Sequence, residues 1–156
     1  HYQVVETGFK YNMMDLQAAL GLGQLRRVEA NWKKREAIWQ RYMRDLADLP
    51  IGLPAENANA DSRHAYHLFT VQVDAERTGI SRDEFLNSMN ARGIGTGVHY
   101  LSLAEHPVYQ DKFAWRPERW GNAMKVGRQT VSLPISAKLT DRDVDGVIDA
   151  LRGLVV

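Results

Sequence analysis

Residues 13–49 contain no proline, and Pro50 ends the run. Proline breaks a helix interior, so a long stretch without it leaves a helix permitted. The apolar spacing then asks for one. Leu25, Val28, Trp32, Trp39, Tyr42, Leu46 and Leu49 recur at intervals of three, four or seven, which places them on one helical face interrupted only by Arg35. The opposite face carries Arg26, Arg27, Lys33, Lys34, Arg41 and Arg44, and reads as a solvated face or one that meets an acidic partner. At ~1.5 Å per residue a continuous helix here runs over about 50 Å, long for a small domain. Gly21 and Gly23 weaken its first part and predict a break or a close helix contact there.

Beyond that helix the periodicity changes. Residues 50–63, PIGLPAENANADSR, read as a loop. HAYHLFTVQVD then alternates, with His67, Phe69, Val71 and Val73 on one face of a strand. Ser81 followed three residues on by Glu84 is a capping box, and Gly93 supplies the stop. GIGTGVHY reads as a second, glycine-laced strand, residues 104–118 as irregular and aromatic, and residues 119–130 as weakly helical. SLPIS is a short extended piece. Thr140 caps a final helix whose Val144, Val147, Ile148 and Leu151 form the buried stripe. The expectation is an α/β chain: a long helix leading into a small antiparallel or mixed sheet backed by helices.

Composition removes several functions. A formal charge of +1 gives no reason to expect nucleic acid or an anionic membrane as partner, and no apolar run reaches the length of a membrane span. With no cysteine there are no disulfides or thiol catalysis, which fits a reducing compartment. The start, HYQVVE, is polar and strand-like and lacks a Met, so the chain reads as processed or as a piece of something longer.

Candidate chemistry is sparse. GIGTG precedes no Gly-Lys-Ser/Thr and follows a helix, so it is neither a phosphate-binding P-loop nor a dinucleotide fingerprint; strand glycines that let another backbone approach are the better reading. His64 and His67 would point to opposite faces of a strand and lack a third ligand, so no metal site is expected. His99 and Tyr100 end a strand, where sites often sit, and a structural His–Tyr pair fits the spacing equally. Lys10, Tyr11 and Asn12 precede a helix. Asn12 or Asp15 could cap it, or the helix start with a lysine beside it could seat an anion.

GFKYNMMDLQAALGLGQL, HAYHLFTVQVD, GISRDEFLNSMNARGIGTGVHY, HPVY, SLPIS and VDGVIDAL occur in that order. Together they resemble the C-terminal region of the DegT/DnrJ-type nucleotide-sugar aminotransferases, over residues 4–154. The KYN variant and the GISRD to GVHY block look most like the branch that makes UDP-4-amino-4-deoxy-arabinose for lipid A. The resemblance implies the small C-terminal domain of the type I pyridoxal-phosphate fold, with residues 1–50 as loop and linking helix and 51–156 as the small domain. It implies pyridoxal 5'-phosphate as cofactor and a cytoplasmic homodimer that moves an amino group from glutamate to a keto-sugar nucleotide. By the same resemblance Lys10 and Asn12 reach the cofactor phosphate of the neighbouring subunit, while His99 and Tyr100 face the nucleotide sugar. Lys10 stands where many members have asparagine, Asn12 where many have arginine, and Arg128–Gln129 where the family usually has Glu-Arg. The family's Schiff-base lysine lies upstream of this region. None of the six lysines here, 10, 33, 34, 112, 125 and 138, stands in its Ser/His…Lys-Asn setting. The chain alone is therefore expected to be inactive, a portion of an aminotransferase or else a non-catalytic dimerisation or binding module derived from one.

Overall fold

The structure is a computed structural model in which residues 3, 5–55 and 61–155 are described. Residues 1, 2 and 4 of the strand-like start and 56–60 of the expected loop lie outside that set; Gln3 and Val5 have no regular structure.

The long proline-free run is two helices, α1 (Asp15–Leu25) and α2 (Val28–Asp45). The break falls at Arg26 and Arg27, not at the glycines, which sit inside α1 where a Cβ would meet nothing within 4 Å. Arg27 turns to φ −105°, ψ −4°, and its N–H reaches back only three residues, to the Gln24 carbonyl at 3.0 Å, so the turn tightens locally. Neither Asn12 nor Asp15 caps α1. Met14 takes the cap position, its N–H donates to Gln17 Oε1 at 2.9 Å, and Asp15 is already helical.

The expected apolar face is buried only along its second half. Ile38, Trp39, Tyr42, Leu46 and Leu49 enter the core, whereas Leu25 and Val28 are exposed. α1 contributes no buried residue. Arg41 on the supposedly solvated face is tied into the fold, with ion pairs to Asp45, Asp141 and Asp145 that join α2 to the final helix.

The sheet is small and antiparallel. Strand β1 (Phe69–Gln72) pairs with β2 (Thr130–Leu133), Phe69 opposite Leu133 and Val71 opposite Val131. Strand β1 starts later than the alternation suggests because Tyr66 sits at φ +48°, which turns the backbone out of the extended region. That turn lets His64 and Tyr66 both pack against Trp39, at ring-centroid distances of 4.7 and 5.4 Å. Two single bridges flank the sheet, Gly52 to Gln72 and Gly97 to Ser132. The second strand expected at GIGTGVHY is thus reduced to one bridge: the glycines supply no alternating side chains to pair a longer edge.

Short helices α3 (Ala75–Thr78) and α4 (Arg82–Ala91) follow β1. The stretch expected to be irregular contains α5 (Pro107–Phe113), and then come α6 (Gly121–Gln129) and, after β2, α7 (Asp141–Val155). α7 packs on α2 and α4 with Val144, Val147, Ile148, Leu151 and Val155 buried. Both expected caps form. Ser81 Oγ accepts the Glu84 N–H while Glu84 accepts from Ser81 N at 2.8 Å, and Asp143 closes the same box on Thr140, also at 2.8 Å. Gly93 follows α4 at φ +76°, as a stop residue should.

Bonds from Ser81 hold the Glu84 carboxyl below its ordinary range, and bonds from Thr140 do the same for Asp143. A lowered folded-state value stabilises above the unfolded carboxylate range and loses that contribution as pH falls through the lowered value. Replacing both (E84Q with D143N) is expected to flatten the acid limb of stability followed by far-UV circular dichroism, and to leave the neutral-to-alkaline limb unchanged in slope.

Candidate functional site

An open recess of about 750 Å³ lies between α2, the Gly95–Gly97 segment and the loop after β2. Arg27, at the start of α2, and Arg35 within it lie eight residues apart, two turns along one face, and both line the recess. Lys138, His67 and His99 complete a wall of donors around it. Arg35 is also anchored, its Nε donating to the Ala65 carbonyl at 3.4 Å. Such a wall suits an anionic oxygen ligand, phosphate or carboxylate, through charge-assisted hydrogen bonds.

His99 is the best positioned of these groups. Its Nδ1 lies 2.8 Å from Ser132 Oγ, and Ser132 is buried in β2. The backbones of Gly97 and Ser132 exchange hydrogen bonds of 3.2 and 2.8 Å, so the approach expected of these glycines is present at Gly97. What Gly97 accommodates besides is the imidazole itself: a Cβ there would stand 2.9 Å from His99 Cε1. Gly127 does similar work on α6, where a Cβ would stand 2.6 Å from the Ser102 nitrogen, three residues beyond His99.

The four residues nominated from sequence do not converge. His99 lines the recess. Tyr100 packs edge-on against the His99 ring at 4.9 Å but is 74% exposed and does not line it. Lys10 and Asn12 lie on an exposed arm without regular secondary structure, residues 5–14, outside the recess. His64 is occupied structurally: its Nδ1 accepts the Tyr66 N–H at 2.9 Å and its carbonyl accepts from Trp32 Nε1 at 2.7 Å. Sequence reasoning missed Ser132, Arg27, Arg35 and Lys138. Arg35 did leave a signal, as the one cation interrupting an apolar helical face.

The sequence profile of the DegT/DnrJ/EryC1/StrS aminotransferase family matches residues 1–152. The chain belongs to that aminotransferase family. The spore coat polysaccharide biosynthesis protein SpsC of Bacillus subtilis is 41% identical over 156 residues. Spr1654 of Streptococcus pneumoniae, named as a sugar aminotransferase, superposes in its PLP form with a TM-score of 0.86 at 26% identity over 99% of this chain. DesV of S. venezuelae superposes at 0.76 with 34% identity over 88% of this chain. The α/β fold expected from the sequence is thus the fold of aminotransferases solved with their cofactor. The chain spans 40% of the length of SpsC, 39% of Spr1654 and 35% of DesV. Spr1654 was also solved in a PMP form, the amino-bearing state of the cofactor. All six lysines of this chain are exposed. No helix among the described residues is long and apolar enough to cross a membrane.

Proposed function

We propose that this chain is the C-terminal portion of a pyridoxal-phosphate-dependent aminotransferase that moves an amino group from glutamate to a keto-sugar nucleotide in envelope polysaccharide biosynthesis. The family match over residues 1–152 carries the reading, and the donor-lined recess around His99 supports it. Residues 1–50 serve as loop and linking helix, and residues 51–156 as the small domain. When bound, the cofactor supplies the electron sink for amino transfer. This chain's own part is binding and orientation. Arg27, Arg35 and Lys138 hold oxyanions, His99 and Tyr100 face the sugar nucleotide, and Lys10 and Asn12 hold the cofactor phosphate of a second subunit.

The arm and α1 support a homodimer. Phe9, Tyr11, Met13, Met14, Leu16, Leu20, Leu22 and Leu25 are all more than half exposed, an apolar run that a partner surface would cover. The same run favours a second reading, a dimerisation or binding module without catalysis. The KYN variant and the GVHY block support UDP-4-amino-4-deoxy-arabinose synthesis for lipopolysaccharide as the branch, in the cytoplasm.

Amino-nitrogen-labelled glutamate separates the two readings. The complete protein is expected to pass the label to a UDP-linked 4-keto sugar, read by mass spectrometry. Failure to label any keto-sugar nucleotide would leave the module. In the same sample, borohydride reduction is expected to place the pyridoxyl group on a lysine outside this chain. A stoichiometric adduct on one of lysines 10, 33, 34, 112, 125 or 138 would refute the assignment of roles.

A further inference from the structure

Ser132 and His99 sit 33 residues apart, yet their side chains meet at 2.8 Å. The direction of that bond decides what His99 offers to the recess, because a neutral imidazole donates from one nitrogen and accepts at the other. If Nδ1–H donated to Ser132 Oγ, the serine hydroxyl proton would need its own acceptor. Ser132 is 5% exposed at the wall of the recess, and among the described residues no carbonyl or carboxylate accepts from its Oγ. Its main-chain groups are already engaged with Gly97. A buried hydroxyl proton without an acceptor is costly, and the bond's direction follows from avoiding it. With the bond reversed, the serine proton goes to Nδ1, the serine hydroxyl is satisfied, and the imidazole proton sits on Nε2. That nitrogen has no hydrogen-bond partner among the described residues and belongs to a ring that lines the recess.

We infer that Ser132 is a positioning residue that fixes His99 in its Nε2–H tautomer, so that the imidazole presents a hydrogen-bond donor, and not a base, to an oxyanion in the recess. Gly97 is the second part of the device, since only the absence of a Cβ leaves room for the ring over that residue. The relevance to substrate rests on the function proposed above; the tautomer itself does not.

Imidazole nitrogen resonances read the device directly. The chain has five histidines, so a histidine-labelled sample is simple, and His99→Gln identifies the relevant signals. Above the imidazole titration range, His99 is expected to show protonated Nε2 and an unprotonated Nδ1 displaced by accepting a hydrogen bond. Ser132→Ala, which removes only the hydroxyl, is expected to move Nδ1 to the position of a free acceptor and to admit a fraction of the other tautomer. Ser132→Thr should restore the original pattern. Gly97→Ala should abolish the displacement with the hydroxyl intact, by pushing the ring away. A proton on Nδ1 in the native chain, or an Nδ1 resonance unmoved by Ser132→Ala, would overturn the inference. Added pyrophosphate is expected to shift the Nε2–H resonance. An unshifted resonance together with the expected tautomer would count against the substrate reading alone.

Discussion

Phe69→Ala is expected to destabilise the chain by about 3–5 kcal/mol, the range for deleting a large buried side chain and leaving a cavity. Phe69 is fully buried in the small sheet, opposite Leu133. Its ring meets Trp39 edge-on at 4.8 Å and Tyr42 at 5.0 Å, so it joins β1 to α2. Tyr42 is itself fully buried. Burial holds its phenol above the ordinary range, and its hydroxyl donates to the Pro134 carbonyl at 2.9 Å, next to β2. Losing Phe69 therefore opens a space that neither a strand paired on its other side nor an anchored tyrosine can move to fill. Against a total stability of about 5–15 kcal/mol for an ordinary domain, the loss is large. A urea titration should show a much lower midpoint with an unchanged slope. Leu20→Ala is the matched control. Leu20 is 64% exposed on α1, so its replacement should change stability by no more than about 0.5 kcal/mol. Equal effects at the two positions would mean that α1 is packed against the core.

The difference between Phe69 on β1 and Leu20 on α1 also marks how far a sequence pattern reaches. Alternation located Phe69, Val71 and Val73, and helical spacing located the α7 stripe, because each element buries the face that its own pattern marks. On residues 13–49 the same kind of pattern began at Leu25 and Val28, which nothing among the described residues covers. Apolar spacing reports a face to be buried and does not say against what. The missed helix α5 has a physical reason too. Pro107 opens it, a permitted first-turn proline, but it closes on Ala114 at φ +51°, a left-handed position where a glycine would have been the visible stop. The site divides similarly. His99 stood out as a titratable side chain at a strand end, whereas Ser132 acquires its role only when β2 lies beside Gly97. A hydroxyl inside SLPIS has no local feature that marks it as the partner of a ring 33 residues away.

Lys10→Ala is expected to leave the stability of this chain unchanged and to weaken cofactor binding roughly ten- to a hundred-fold in the complete aminotransferase, the loss that follows from one hydrogen bond to a charged group. The first half follows from the arm: Lys10 is exposed and makes no hydrogen bond or ion pair among the described residues. The second half follows from chemistry. A hydrogen bond to a charged group contributes about 1.5–3 kcal/mol, and each ~1.4 kcal/mol is a factor of ten in a dissociation constant. Asn12, two residues on, lies on the same exposed stretch and would add an amide donor to the same phosphate. The family resemblance implies that the arm's ligand belongs to another subunit, so the effect should act in trans. Dimers can be mixed so that the only cofactor-bonding lysine is opposite either an intact arm or a Lys10→Ala arm. Cofactor affinity, titrated by its absorbance, should fall only in the second mixture. A loss confined to the mutant's own subunit would mean that the arm folds back in the assembled enzyme. An unchanged affinity in both mixtures would return Lys10 to an ordinary exposed loop residue and leave the phosphate to groups outside this chain.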